Sequence, residues 1–417
     1  MNQYNHIAEE YRKVFLGEEE KRKDVFYPLR KTAMDKLLLN GFPDKKNEKY
    51  KYTFLTPLFE KPFAETSARV HSDISLSLPF LSNGPAVFLV NGAFFSSRQL
   101  PFPCESIRTA SSHHPDVLHR HLGKYTDDDA FVLMNASFFR EGLFLHIPPS
   151  TRLQQPVMIH SHYAAERTET RHLIVVEDNS EVTFCFFENS ANDVSSLSHG
   201  VAEMYVGKNS RVHLIKVQQH NENHRNIFHT YIHQEEGSQM DSFFVSLQGG
   251  LIRNNFQLTM AGPHAEHRHY GLLVAAANHV ADHYTFVKHE TPACFSNQLI
   301  KEIIKDNATG IFYGKIYVCP HAQKTEAYQR NDNLLLDSGA VVNARPQLEI
   351  YADDVKCSHG DTVGYFADES LFYLRSRGIP EAEAIRLLVQ GYASEIINQI
   401  QPEECRNWLE EQILLTL

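Results

Sequence analysis

The 417-residue chain is 42% apolar and carries a formal net charge of −11, with 40 Lys and Arg against 51 Asp and Glu. This composition supports a sizeable core and excludes bulk disorder, while the acidic balance argues against generic binding to a phosphate backbone. The cysteines, Cys104, Cys185, Cys294, Cys319, Cys357 and Cys405, are scattered without a C-x-x-C pair, which argues against a disulfide framework and a self-contained zinc or cluster cage.

The start, "MNQYNHIAEEYRKVFLGEEEKRKD", is charged throughout and lacks the apolar centre of a signal peptide. No apolar run approaches the roughly 20 residues of a spanning helix. A cytoplasmic protein without membrane or nucleic-acid partners is expected. Ile7, Tyr11, Val14 and Phe15 fall at helical spacing. "RKTAMDKLLLNGFP" predicts a second helix with Met34, Leu37 and Leu38 on one face, stopped by Asn40-Gly41 and Pro43. The polar "PDKKNEKYKYTF" reads as an extended link. Residues 1–75 are therefore expected to form a helical region and linker.

Residues 76–355 are rich in Val, Ile, Phe, Tyr and Thr. Short strand-like runs alternate with polar turns, and Val182, Phe184 and Phe186 alternate as on a half-buried strand, as do Phe256, Leu258 and Met260. The turns at Asn179-Ser180, Asn209-Ser210 and Gly237-Ser238 recur at intervals of 30 and 28 residues. A β-solenoid accounts for this, because its coils bury their apolar faces only by stacking. An antiparallel sandwich also gives short strands with polar turns. Periodicity alone leaves both open.

Residues 356–417 read as helical. "DESLFYLRSRG" has an acidic start, basic residues at its end and a Gly stop. Pro380 opens a second helix with Ile385, Leu388, Tyr392 and Ile396 in one stripe, and Pro402 a third carrying Cys405, Trp408, Leu409 and Ile413. Three short helices need a surface to pack on, either the β region or a partner.

Chemistry concentrates in "DDVKCSHGD". Cys357 and His359 sit at i and i+2 near the end of a strand-like run, so they point to one side. Both are ligands for iron or zinc, and two ligands leave a site incomplete. A Cys-His nucleophile oriented by Asp361 and a plain strand-end Cys with a solvated His are the competing readings. A second cluster, His264, His267 and His269, followed by His279, Asp282 and His283, offers a mononuclear metal site for a stand-alone β-fold metalloenzyme. "ASSHHPD" and Asp127–Asp129 read as solvated loops. No phosphate loop, G-x-S-x-G or dinucleotide fingerprint is present.

The stretch "NARPQLEIYADDVKCSHGDTVGYFADESLFYLRSRGI" resembles the C-terminal signature of the SufB/SufD family of iron–sulfur cluster assembly proteins. The resemblance extends upstream through "HYTFVKHETPACFSNQ" to "NDNLLLDSGAV", and includes "GFPDKKNEKYKYTFL". It covers roughly the last third of the chain and that short segment. The form "CSHG", with Gly360 after His359 where SufB has Glu, is similar to the SufD branch. The resemblance implies a mainly β fold: a right-handed parallel β-helix between helical ends. It implies a non-catalytic scaffold that pairs with SufB through the β-helix ends and binds the ATPase SufC through the C-terminal helical part, with a nascent cluster at the SufB–SufD interface. His359 then stands where SufD contributes a ligand or essential polar group, with Cys357 beside it in a less defined role. The isolated chain is expected to hold no stable cofactor, with iron or a cluster only transient in the complex. A homodimer in the absence of SufB stays open. Leu371, Phe372, Leu374, Arg375 and Arg377 are the candidate residues for docking the ATPase, with packing among the terminal helices as the alternative.

Overall fold

The computed structural model describes residues 4–17, 23–62, 78–81, 83–191, 195–366 and 368–416. Its centre is a parallel β-solenoid of about eight turns. Consecutive strands alternate between a ten-stranded and a nine-stranded sheet, so from Val157 onward each strand pairs in parallel with the strand two places along the chain. The sandwich alternative is excluded. Among the described residues, antiparallel pairing is confined to two earlier contacts, Ala86–Val90 with Ala93–Arg98 and Cys104–Ser106 with Leu143–Ile147.

The recurring turns form one corner of the coil. Ser150, Asn179, Asn209, Gly237, His264, Ala293 and Lys324 all adopt left-handed backbones, with φ between 56° and 66°. Their N–H groups donate to carbonyls one coil on: Asn179 to Lys208, Asn209 to Glu236, and Gly237 to Pro263. Asn and Gly tolerate this conformation best, so three of the corners are legible in sequence. His264, Ala293 and Lys324 make the same turn without that signature. Inside the coils, side chains such as Leu145, Ile159, Phe184, Val212, Phe256 and Ile316 stack into one apolar column.

Helices α1 (Asn5–Gly17) and α2 (Tyr27–Asn40) form as the spacing predicts, burying Ile7, Tyr11, Met34 and Leu37. Three further helices, α3 (Ile107–His113), α4 (Pro115–His121) and α5 (Ala130–Phe138), lie within the stretch expected to be β. Two of their start signals, Pro115 and Asp129, lie in the stretches read as loops. Ser106 Oγ accepts from Thr109 N–H at 3.1 Å, Pro115 opens α4, and an Asp129 carboxylate oxygen accepts from Phe131 N–H at 3.0 Å. Helix α5 is buried on every side, so it has no amphipathic stripe to betray it. It fills the space between α1, α2 and the outer face of the nine-stranded sheet, where Phe131 packs against the rings of Phe42, Tyr50 and Phe59 in one cluster with Tyr11, Leu37 and Ile227.

The boundary expected near residue 75 lies outside the described residues. At the other end, strand Val355–Gly364 carries the β run past residue 355; this edge strand has too few apolar residues to show a strand period. Helices α6 (Asp368–Ser376), α7 (Glu381–Ile397) and α8 (Glu403–Thr416) follow. Val389, Ile396, Leu409 and Ile413 of α7 and α8 cover Val217, Val245 and Leu272 on the outer face of the ten-stranded sheet. No helix among the described residues is long and apolar enough to cross a membrane.

Buried histidines give the fold a pH signature. Burial pushes His172, His267 and His283 down to about 3, and His289 to about 4. The unfolded value lies near 6.5, so below that pH the unfolded chain binds more protons. The contribution is present above about pH 6.5 and lost as pH falls toward the folded values, by about 1.4 kcal/mol per pH unit for each such group. The melting temperature is therefore expected to fall steeply from pH 6.5 to 5. A flat profile across that window contradicts the buried placement.

Candidate functional site at the open end of the solenoid

Strand Val355–Gly364 pairs with Thr325–Leu335 and ends its sheet, as Val341–Ile350 ends the other. Among the described residues, no strand caps either edge. Ala327, Gln329 and Asn331 stand in register beside Cys357, His359 and Asp361. Ala327 is buried in the interior column and Cys357 packs against it. The row Cys357, His359, Asp361 therefore continues the inward-facing side of the coil onto its exposed end. Neighbours in this row are about 7 Å apart along the strand.

Cys357 is half-buried, and burial raises its thiol pKa, partly offset by a backbone hydrogen bond involving Ala327. It rests as a thiol, a poor nucleophile. No hydrogen bond joins it to His359 among the described residues, which removes the geometric basis for a dyad. His359 is exposed. Asp361 accepts from Asn333 Nδ2 at 3.1 Å. Burial and nearby Asp332 raise the Asp361 carboxyl, while Asn333 and His359 act the other way. The thiol of Cys357 and the imidazole of His359 offer at most two ligands of the kind a borderline metal takes, an incomplete set.

Around this row lies apolar surface: Val341, Ile350, Tyr351, Val363 and Tyr365 are all exposed. Open edges flanked by apolar side chains are templates for association. Sequence reasoning missed Tyr351, Val363 and Tyr365, because no periodicity marks an end. The available signal is apolar residues bracketing an otherwise polar strand.

On α6, Phe372 is 73% exposed, with Tyr373 exposed beside it. Leu371 and Leu374 are partly covered. Arg375 pairs with Glu381 at 3.2 Å, and Arg377, just past the last residue of α6, lies over the Tyr373 ring at 5.2 Å. Tyr373 is the member of this patch that the sequence reading left out.

The other histidine cluster does not assemble. His264 is exposed on a corner, while His267 and His269 are buried inside. There Ser242 Oγ bridges His267 Nε2 at 2.8 Å and His269 Nδ1 at 2.7 Å, and His269 Nε2 meets His283 Nε2 at 2.7 Å. These rings serve an internal hydrogen-bonded chain. Among the described residues, no three His, Cys, Asp or Glu side chains converge to hold a metal ion.

A family model described as SUF system FeS cluster assembly, SufBD core domain, matches residues 159–392, and one described as SufBD protein N-terminal region matches residues 1–159. The chain is similar to an iron–sulfur cluster assembly SufBD family protein of Synechocystis sp., with 31% identity over 394 residues, 89% of this chain and 86% of that one. It is similar to the iron–sulfur cluster assembly protein SufD of Escherichia coli, with 28% identity over 396 residues, 93% and 91% of the two chains. Against SufD of Bacillus subtilis the identity is 26% over 316 residues, 73% and 71% of the two chains. The core match opens near the first parallel coil and runs through the open end into α7, and with the N-terminal match it shows that the chain belongs to the SufBD family of iron–sulfur cluster assembly proteins.

Proposed function

We propose that this chain is a non-catalytic scaffold subunit of a SUF-type assembly complex. It docks end to end with a SufB-type subunit and presents His359, with Cys357 beside it, to a nascent iron–sulfur cluster at the shared end. The cluster is cargo, so the isolated chain retains none. The observation that carries this reading is the uncapped last coil, with an imidazole in its inward row and apolar residues around it. The similarity to SufD proteins supports the same assignment. Co-expression with a SufB-type subunit tests the docking: charge substitutions Val363→Glu and Tyr365→Glu should abolish co-purification of a folded chain. Retained co-purification places the interface elsewhere. A second copy offers the same open edge, so a homodimer through this end is expected when the SufB-type subunit is absent.

The SufC-type ABC ATPase is assigned to α6. Phe372→Asp replaces a side chain that is 73% exposed, so the new carboxylate stays solvated and the fold is retained. Loss of an apolar anchor at an interface weakens binding by about tenfold or more. Calorimetric titration with the ATPase checks this, alongside unchanged circular dichroism. Unaltered affinity in the folded variant removes α6 from the interface.

A further inference from the structure

Directly beneath His359 the interior carries polar side chains. His269, Gln298, Gln329 and His359 stand in register on four successive coils, one above the next. Gln298 and Gln329 are almost wholly buried, and Glu302 is fully buried. On each of these three side chains, neither polar atom of the amide or carboxyl group has a hydrogen-bond partner among the described residues. Asn333 lies one coil above Glu302 and links Asn331 Oδ1 at 2.7 Å to Asp361 Oδ1 at 3.1 Å, with its own Oδ1 unpartnered. The opposing strand, Thr309–Val318, leaves room for them. A methyl group at Gly310 would collide with the Glu302 carboxyl, and one at Gly314 with the Phe312 ring and the Gln329 amide.

Buried amides and carboxyls without partners are rare because each forfeits its hydration. In-register glutamines in a parallel stack usually bond to one another as an amide ladder; Gln298 and Gln329 do not. Burial, reinforced by Asp282 and Asp361, raises the Glu302 carboxyl well above its ordinary range, so it stays a neutral acid that both donates and accepts. Gln298 and Gln329, stacked beneath His359, offer the several polar contacts that buried water requires.

We propose that ordered water fills this shaft, and that Gln329 holds the inner ring nitrogen of His359 through it, turning the other nitrogen outward. Gln329 is then a positioning residue. This rests on the reading of His359 given above, since a histidine that ligates with one nitrogen is oriented by a hydrogen bond at the other.

Nitrogen NMR of the intact chain carrying ¹⁵N-histidine, at one neutral pH, tests the shaft. The His359 signal is assigned by its loss in His359→Ala. The wild type should show one dominant ring tautomer. Gln329→Leu, which replaces the amide with an apolar side chain of similar size, should mix the two tautomers. Gly314→Ala, which crowds the amide together with the Phe312 ring, should do the same, and Gln329→Asn should restore the wild-type signature. Identical ring shifts in wild type and Gln329→Leu overturn the proposal. So does a high-resolution structure in which the Gln298 and Gln329 amides bond directly to each other without water. In the assembled complex, Gln329→Leu should lower cluster yield several-fold, and an unchanged yield with a shifted tautomer overturns the positioning role. If His359→Ala leaves cluster yield intact, the ligand reading fails, while the tautomer measurement still decides the shaft.

Discussion

His359→Ala is expected to leave folding and complex assembly intact and to abolish or sharply reduce cluster formation. The side chain is exposed on the last strand, so its removal opens no cavity. What is lost is a lone-pair donor on the inward row of an uncapped coil. A neutral imidazole serves iron well, and neither Cys357 nor Asp361 replaces it without movement, since each sits about 7 Å away along the strand. Cys357→Ala should be milder, because the half-buried thiol packs against the interior column and behaves largely as a small apolar group. Complementation of a strain that depends on this pathway, with the complex purified from each variant, separates the two. Normal growth and normal cluster yield with His359→Ala would make this residue structural or idle.

Glu203→Ala is expected to be the most damaging single change away from that end. Glu203 and Arg171 are fully buried on neighbouring strands, joined by bonds of 2.7 and 3.2 Å. The same carboxylate accepts from the backbone N–H groups of Gly123, Lys124 and Tyr125 at 2.9, 3.1 and 3.3 Å. It thereby ties the segment between α4 and α5 to the solenoid wall. Truncation strands a guanidinium without its counter-charge and leaves those amides without this acceptor, a loss of about 3–5 kcal/mol. Chemical denaturation should show the loss directly. Arg171→Met with Glu203→Leu, which removes both charges, should recover much of it, as apolar replacement of a buried pair commonly does. A Glu203→Ala variant of wild-type stability would show that the pair is solvated.

The solenoid was legible where corner chemistry was explicit. Asn179, Asn209 and Gly237 advertise their left-handed turns, whereas His264, Ala293 and Lys324 adopt them because neighbouring coils supply the acceptors. The terminal helices were legible as helices, but the buried stripe of α7 runs through Ala384, Val389, Ala393 and Ile396, with Ile385 and Tyr392 only partly covered. Its contact face includes small residues that a search for large apolar side chains passes over. Helix α5 was hidden by the opposite problem, being buried all round. At the open end, Cys357 and His359 were visible because residue chemistry and the two-residue period suffice to pair them. Val363 and Tyr365 became meaningful only once the coil was seen to stop beneath them, and Gln298, Glu302 and Gln329 only once register aligned residues about 30 positions apart.

The central claim, that His359 meets a cluster shared with another chain, is tested most directly by pulsed electron paramagnetic resonance. The complex is assembled with ¹⁵N-histidine confined to this subunit, loaded with iron and sulfide, and reduced to a paramagnetic state. A ¹⁵N coupling from the cluster that disappears in His359→Ala is the predicted result. A cluster of full yield with no coupling to this subunit's histidines, or with a coupling that survives the substitution, would contradict it.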